Sequence, residues 1–374
     1  MPALNGLVNA WKNIREIDLS SFREEATQPL RIALVGIPGV GRHTLADQMR
    51  LDPARPQQAS QTPVSIVDLA TPQPDIQAHL IILMLDANAG DFSQEKALAR
   101  KLSEAGQRIL VFVNKMDLVA DVKAVHDRIN WPIDRILYGS ATSISFLKEQ
   151  FVPAMIELLT DKGLALSRNY PLFREEIANR LINDTCFSNA AYAISTGIAE
   201  IVPVLDLPLN ITDMFVLSKT QAFLVYKLGL ALGYSTRWQD YVTEFGSVIG
   251  SGFLWRQIAR ELVGLIPVWG IVPKTAVAYA GTYVVGHTVL TWYKTGRKVT
   301  AKQVQEMYVQ AFKRGKTLAE SLASKVHPPR LAWRRKKTEL PPPAQTKTCP
   351  SCGKQNSLDA AFCEYCGAGL EVSS

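Results

Sequence analysis

Two Cys-x-x-Cys pairs, Cys349-Pro-Ser-Cys352-Gly353 and Cys363-Glu-Tyr-Cys366-Gly367, are separated by ten residues near the end of the sequence. Four thiolates at this spacing match a tetrahedral structural zinc site with no open coordination position. The glycine after each pair permits the tight turn that aims backbone N–H groups at the sulfurs. A segment as short as 347–371 cannot bury a useful core, so metal binding is expected to supply most of its folding free energy. Redox dithiols and disulfides are the alternatives. A redox pair needs only one such motif on a larger fold, and disulfides are rare in the cytosol, so zinc is the expected ligand. A second cluster, Gly36-Ile37-Pro38-Gly39-Val40-Gly41-Arg42-His43-Thr44, follows the apolar run 31–35. Gly36 and Gly41 have the G-x-x-x-x-G spacing of a loop that opens a helix after a strand and holds phosphate on its backbone N–H groups; Gly39 adds freedom. Arg42 stands where that pattern has Lys and His43 where it has a magnesium-binding hydroxyl, while Thr44 comes one residue late. Arg42 keeps the charge but as a planar fork, and a neutral His is a poor ligand for an oxygen-seeking ion. A glycine-rich turn kept for packing is the competing reading.

A third cluster, Asn114-Lys115-Met116-Asp117, follows the apolar run 109–113, which reads as a buried strand. In this order of strands and loops the sequence resembles the Era/Ras-type GTPases. The resemblance implies an α/β P-loop GTPase-like domain that binds GTP or GDP. Asp117 would accept hydrogen bonds from guanine N1–H and its 2-amino group, a donor pair that adenine lacks. Asn114 would brace neighbouring loops, Lys115 would lie along the base or sugar, and Ser140-Ala141 would bring backbone N–H groups to the guanine oxygen. Gly36, Gly39 and Gly41 would hold phosphate with Arg42 as counter-charge, and Asp68 and Thr44 are the remaining candidates near the phosphates. The sequence also departs from that family. Asp68-Leu69-Ala70-Thr71 lacks the glycine of D-x-x-G, and the interval from Arg42 to Asp68 has no room for a switch loop and an extra strand. Mg2+ is therefore poorly provided for, guanine binding is better supported than hydrolysis, and no catalytic residue is assigned. A pseudo-GTPase adaptor that binds protein partners without nucleotide is the alternative.

The elements that must hold these clusters divide the 374 residues into an N-terminal amphipathic helix (1–28), the P-loop domain (29–162), an all-α apolar helical domain (163–318), a basic and proline-rich linker (319–346) and the ribbon (347–371). Leu4, Leu7, Val8, Trp11, Ile14 and Ile17 recur at helical spacing in the first of these. No charged region followed by an apolar core marks a secretory signal. The chain is 47% hydrophobic and carries a net charge of +7, so it can bury real cores. Much of the positive excess lies in Lys313, Arg314, Lys316, Lys325, Arg330 and 334–337, a tract that reads equally as a solvated helix face running into a linker or as one able to face anionic lipid, with nucleic acid less favoured for want of interleaved aromatics.

From 187 to 233 and from 262 to 292 the sequence turns strongly apolar, and 275–293 is free of formal charge. Its length permits one membrane span, with 262–273 as a re-entrant half; a buried helical hairpin reads the same way. Ala276, Ala280, Gly281 and Gly286 would let helices approach closely in either setting. Ile201-Val-Pro-Val-Leu-Asp206, Gln221, Gly229, Gly233-Tyr234, Leu265-Ile-Pro-Val-Trp-Gly270, Thr282 to Gly286, Tyr293 and Gly296 resemble the YcjF-type bacterial helical domain. That resemblance implies membrane proximity and a partnership with a G domain. With the cysteines placing the chain inside a cell, the expectation is a cytoplasmic protein associated with the inner face of the inner membrane, with protein partners bound through the helical domain and the ribbon. His287 reads as a core or interface histidine and Cys186 as a buried structural thiol.

Overall fold

The apolar runs of the first half form a sheet buried on both faces, which is the environment of parallel strands. A computed structural model describes residues 19–53, 59–69, 76–129, 131–133, 135–199, 211–241, 271–297, 299–325, 346–357, 368 and 370. The chain divides into two compact units, Met1–Lys325 and Val326–Ser374. In the first, β1 (Ile32–Gly36), β2 (Ser65–Asp68), β3 (Leu80–Asp86), β4 (Ile109–Asn114) and β5 (Ile136–Tyr138) pair in the order β2-β1-β3-β4-β5. All four pairings are parallel. The order reverses at β1, with β2 on one side and β3 on the other, and ligands of such sheets bind outside the carboxyl ends of the strands at that point.

Strand period places alternate residues on opposite faces. Ala33, Val35, Ile81, Leu83, Val111 and Val113 pack with Phe92, Ala99, Val125 and Ile129. These last come from α3 (Ser93–Glu104), α4 (Val122–Arg128) and their flanks, once α1 (Ser20–Thr27) and α2 (Arg42–Arg50) are numbered before them. Asp121 caps α4, its carboxylate accepting from the Ala124 amide at 3.0 Å. The other face presents Leu34, Ile82, Leu110 and Phe112 to a core that does not stop at the sheet. It continues through Phe146, Phe151 and Met155, ahead of and within α5 (Val152–Leu158), and through α6 (Gly163–Asn169) and Phe173. From there it reaches Ile182, Leu224, Tyr226 and Tyr293 in the helical region. Phe112 lies 5.4 Å from Phe146 and 6.0 Å from Phe151, and Phe151 lies 6.1 Å from Phe173, centroid to centroid.

The helical region contains α7 (Arg174–Ala199), α8 (Ile211–Ala231), α9 (Ile271–Thr295) and α10 (Ala301–Lys325). Helix α9 packs against α7, α8 and α10. Small residues set the close approaches. A Cβ on Gly286 would lie 2.7 Å from Ile182, and one on Gly315 would lie 2.9 Å from Tyr279 and 3.0 Å from the Ala276 backbone. Ala276 and Ala280 are fully buried, whereas Gly281 faces no neighbour within 4 Å. Asn189 ties three helices together: its Nδ2 donates to Thr282 Oγ1 at 2.8 Å, and its Oδ1 accepts from Thr220 Oγ1 at 2.9 Å.

Of the two readings left open for 275–293, a membrane span and a buried helical hairpin, the span is corrected here. Among the described residues no helix is long and apolar enough to cross a membrane. The stretch is helical, but Thr275, Tyr279, Thr282, Tyr283, His287, Thr288 and Thr291 dilute its hydropathy, and its apolar positions pack on neighbouring helices. The amphipathic positions from Leu4 to Ile17, the 201–206 and 265–270 segments, the 262–270 part of the re-entrant half and the 334–337 basic run lie outside the described residues. Of the N-terminal segment, α1 is described; it packs on α6 and α8, with Phe22 edge-on to Phe223 at 5.4 Å.

In the second unit β6 (Thr346–Thr348) and β7 (Gln355–Ser357) form an antiparallel hairpin around the first cysteine pair.

Candidate functional site

Register places most of the predicted site along one edge. Gly36 pairs with Asp68, and Asp86 pairs with Asn114, so the carboxyl ends of β2, β1, β3 and β4 carry Asp68, Gly36, Asp86 and Asn114 in a row. Beyond β5, the Met116 amide donates to the Gly139 carbonyl at 3.1 Å, which brings Ser140 and Ala141 beside the Asn114–Asp117 loop.

Asn114 is buried and spans the two loops that flank it. Its Nδ2 donates to the Val40 carbonyl at 2.7 Å, and its Oδ1 accepts from the Ala141 amide at 2.8 Å. One side chain thus links the glycine loop after β1 to the loop after β5. Lys115 has φ +66°, the left-handed region that a residue other than glycine seldom enters. From there its Nζ reaches Asp86 Oδ2 at 2.5 Å, while Asp86 Oδ1 accepts from the Asn88 amide at 3.0 Å. Burial pushes the Asp86 carboxyl up, but the bonds from Lys115 and Asn88 outweigh it and hold the group below the usual carboxylate range. Asp117 follows in a single 3₁₀ turn, exposed, with no donor to its carboxylate among the described residues. Ser140 is buried, its hydroxyl 2.9 Å from Thr142 Oγ1.

The glycine loop packs tightly on the sheet. A Cβ at Gly36 would lie 2.7 Å from the Met84 carbonyl oxygen and 2.9 Å from Val40. Gly39 and Gly41 have φ +80° and +102°, and a Cβ at Gly41 would run into the Asn114 amide. Helix α2 then starts, held by Leu45, Ala46 and Met49 on its buried side. Its first amides have no acceptor within the helix, so the loop ends in a set of N–H groups suited to an anion.

The side chains after the loop are arranged differently from the counter-charge expected of Arg42. Its guanidinium is buried and turned to β2: Nη1 donates to the Val67 carbonyl at 2.5 Å, and Nη2 lies 3.6 Å from Asp68 Oδ2. His43 and Thr44 are both exposed. A magnesium ion, implied by the resemblance, finds a poor donor set here. Asp68 already faces a cation, and the position that should supply a hydroxyl supplies an imidazole.

Sequence reasoning missed two supporting residues. Asp86 was not singled out, although its register with Asn114 puts it one residue from Lys115. Arg128 was not singled out; its Nη1 donates to the Ala89 carbonyl at 2.7 Å and its guanidinium lies over Phe92, fixing the loop after β3. No sequence spacing marks that contact.

In the ribbon, Gly353 has φ +73° and its amide donates to the Cys349 carbonyl at 2.9 Å; the Cys349 amide donates to the Lys354 carbonyl at 2.9 Å. This closes the first knuckle as a metal-binding turn, with Cys349 buried against Leu370 and Cys352 exposed. Cys363 and Cys366 lie outside the described residues. His287 is half-buried against Tyr283, ring centroids 4.1 Å apart; burial first, and then Arg314, push its pKa down. Cys186 is fully buried, which pushes its thiol up to about 12, so it is no nucleophile.

Residues 348–370 match the family described as a zinc-ribbon domain, which supports zinc as the metal of this segment. No curated protein matches the chain. The chain therefore combines a parallel α/β sheet, a helical region and a C-terminal zinc ribbon.

Proposed function

We propose that the chain is a guanine-nucleotide-binding, GTPase-like protein that acts as a switch or scaffold near a membrane, with weak or absent GTP hydrolysis. The observation that carries this reading is the position of Asn114. It joins the glycine loop to the Ser140-Ala141 loop and leaves the neighbouring Asp117 carboxylate exposed and unpartnered among the described residues. A carboxylate so placed accepts two donors from one edge of a base, which favours guanine over adenine. Phosphate would rest on the amides of Gly39, Gly41 and the start of α2. No residue is proposed as catalytic. The membrane-facing part of the reading draws on Lys302, Lys313, Arg314 and Lys316, exposed on α10, and on the resemblance to the YcjF-type domain. The zinc ribbon is proposed as a docking module for a protein partner.

Titration calorimetry on the full chain tests the central claim. GDP and GTP are expected to bind in the micromolar range or tighter and ADP and ATP at least about tenfold more weakly. Equal affinity for GDP and ADP, or none for either, would sink it and leave a nucleotide-free adaptor. For the ribbon, native mass spectrometry is expected to find zinc bound, and Cys349→Ser to release it while the melting transition of the first unit stays in place.

A further inference from the structure

We infer that this site takes its nucleotide without magnesium, the Arg42–Asp68 pair standing where the ion would be held. The inference rests on the guanine-nucleotide reading above and names a property of that same site. Magnesium demands a near-octahedral set of oxygens and usually takes one or two carboxylates together with phosphate oxygens and waters. Here the carboxylate at the end of β2, Asp68, faces Arg42 at 3.6 Å, and Arg42 is anchored on its far side by the Val67 carbonyl at 2.5 Å. A guanidinium does not lose its proton at any working pH. A divalent ion approaching Asp68 must therefore displace or crowd a fixed positive charge whose side chain is only 9% exposed.

Among the described residues, the loop after β1 does not supply the hydroxyl at its usual place. His43 offers nitrogen where an oxygen is needed, and Thr44, one position further along, is exposed on α2. The same pair supplies what the ion would have supplied. Arg42 is the first residue of α2, directly after Gly41, so a permanent cation sits at the phosphate loop. Its guanidinium is turned to Val67 and Asp68, so it would act on phosphate through its charge rather than through direct hydrogen bonds.

The test compares GDP affinity of the full chain in excess magnesium with that in metal-free buffer, exchanged without a chelator that would strip the ribbon. The two dissociation constants are expected to agree within about threefold, well under the tenfold that corresponds to about 1.4 kcal/mol. Tightening by magnesium of more than about tenfold would overturn the inference. The double substitution Arg42→Lys with His43→Ser restores a compact ammonium and a hydroxyl. It is expected to acquire a magnesium dependence of at least about tenfold, and a failure to do so would remove Arg42 and His43 as the cause. A second readout needs no nucleotide. Mn2+ binding to the chain, followed by electron paramagnetic resonance, is expected to be the same for wild type and Asp68→Asn. A site lost in Asp68→Asn would show that Asp68 accepts a metal despite Arg42. If GDP binds in neither buffer, the guanine reading falls, and the manganese comparison still decides whether Asp68 is closed to metal.

Discussion

The two ends of the sheet's ligand edge are built from motifs of similar length but keep their polar groups in opposite states. At the β4 end, Asn114 uses its amide on two loops, Lys115 is held by Asp86, and Asp117 is left open to solvent. At the β1 end the backbone is equally well formed, with Gly39 and Gly41 at positive φ, but Arg42 is spent on Val67 and Asp68. Both cations of the edge are thus paired with carboxylates of the same chain. The difference teaches that a loop's backbone follows from glycine positions, whereas the direction of a long side chain depends on what it meets. A planar guanidinium with a carbonyl and a carboxylate within reach is captured by them.

Four substitutions would break or sharpen this contrast. Asp117→Asn puts an amide donor against a base donor and removes charge-assisted bonds, each worth about 1.5–3 kcal/mol. GDP affinity is expected to fall by about a hundredfold or more, with ADP unaffected in calorimetry. Next in size, Asn114→Ala strands the Val40 carbonyl and the Ala141 amide in a buried place, and should cost about 2–4 kcal/mol in urea unfolding while uncoupling the two loops. Gly41→Ala forces a side chain to φ +102° and into Asn114, so about 1–3 kcal/mol of stability should go, with weaker GDP binding. If Gly41→Ala binds GDP as wild type does, the phosphate end is not used.

The smallest effect concerns Asp86. Its pKa is held below the unfolded value of about 3.9, so its contribution is fully present above that value and is lost as pH falls through the folded pKa. Unfolding free energies measured from about pH 6 to about pH 3 should therefore fall less steeply in Asp86→Asn than in wild type. An unchanged slope would mean that the Lys115–Asp86 contact adds nothing to stability.

Much of the sheet was legible because parallel strands buried on both faces read as unbroken apolar runs: 31–35 and 109–113 became β1 and β4 to within a residue at each end. The glycine loop was legible because its spacing dictates backbone. Arg42's direction was not, since it depends on Val67 and Asp68, a quarter of a hundred positions on in the chain and brought near only by the β1–β2 pairing. Helix α9 was legible as a helix, but its fate was ambiguous. An uncharged stretch suits a bilayer and a protein core alike, and the deciding contacts with α7 come from distant sequence. The reading of the first half and the helical region as separate domains did not foresee that they would share a core, because Phe151 and Phe173 look the same in sequence whether they close one core or join two.

That shared core has a consequence for how the chain is made on the ribosome. Phe112 and its sheet neighbours lean on Phe146 and Phe151, which lean on Phe173, and the same packing runs on to Tyr226 and Tyr293. During synthesis Phe146 and Phe151 can cover the sheet soon after β5 emerges, but the apolar surface beyond Phe173 stays bare until the helices that carry Tyr226 and Tyr293 have left the exit tunnel. A translation pause ahead of α9 would prolong that exposure, and nascent chains halted there are where holding chaperones would be expected to gather.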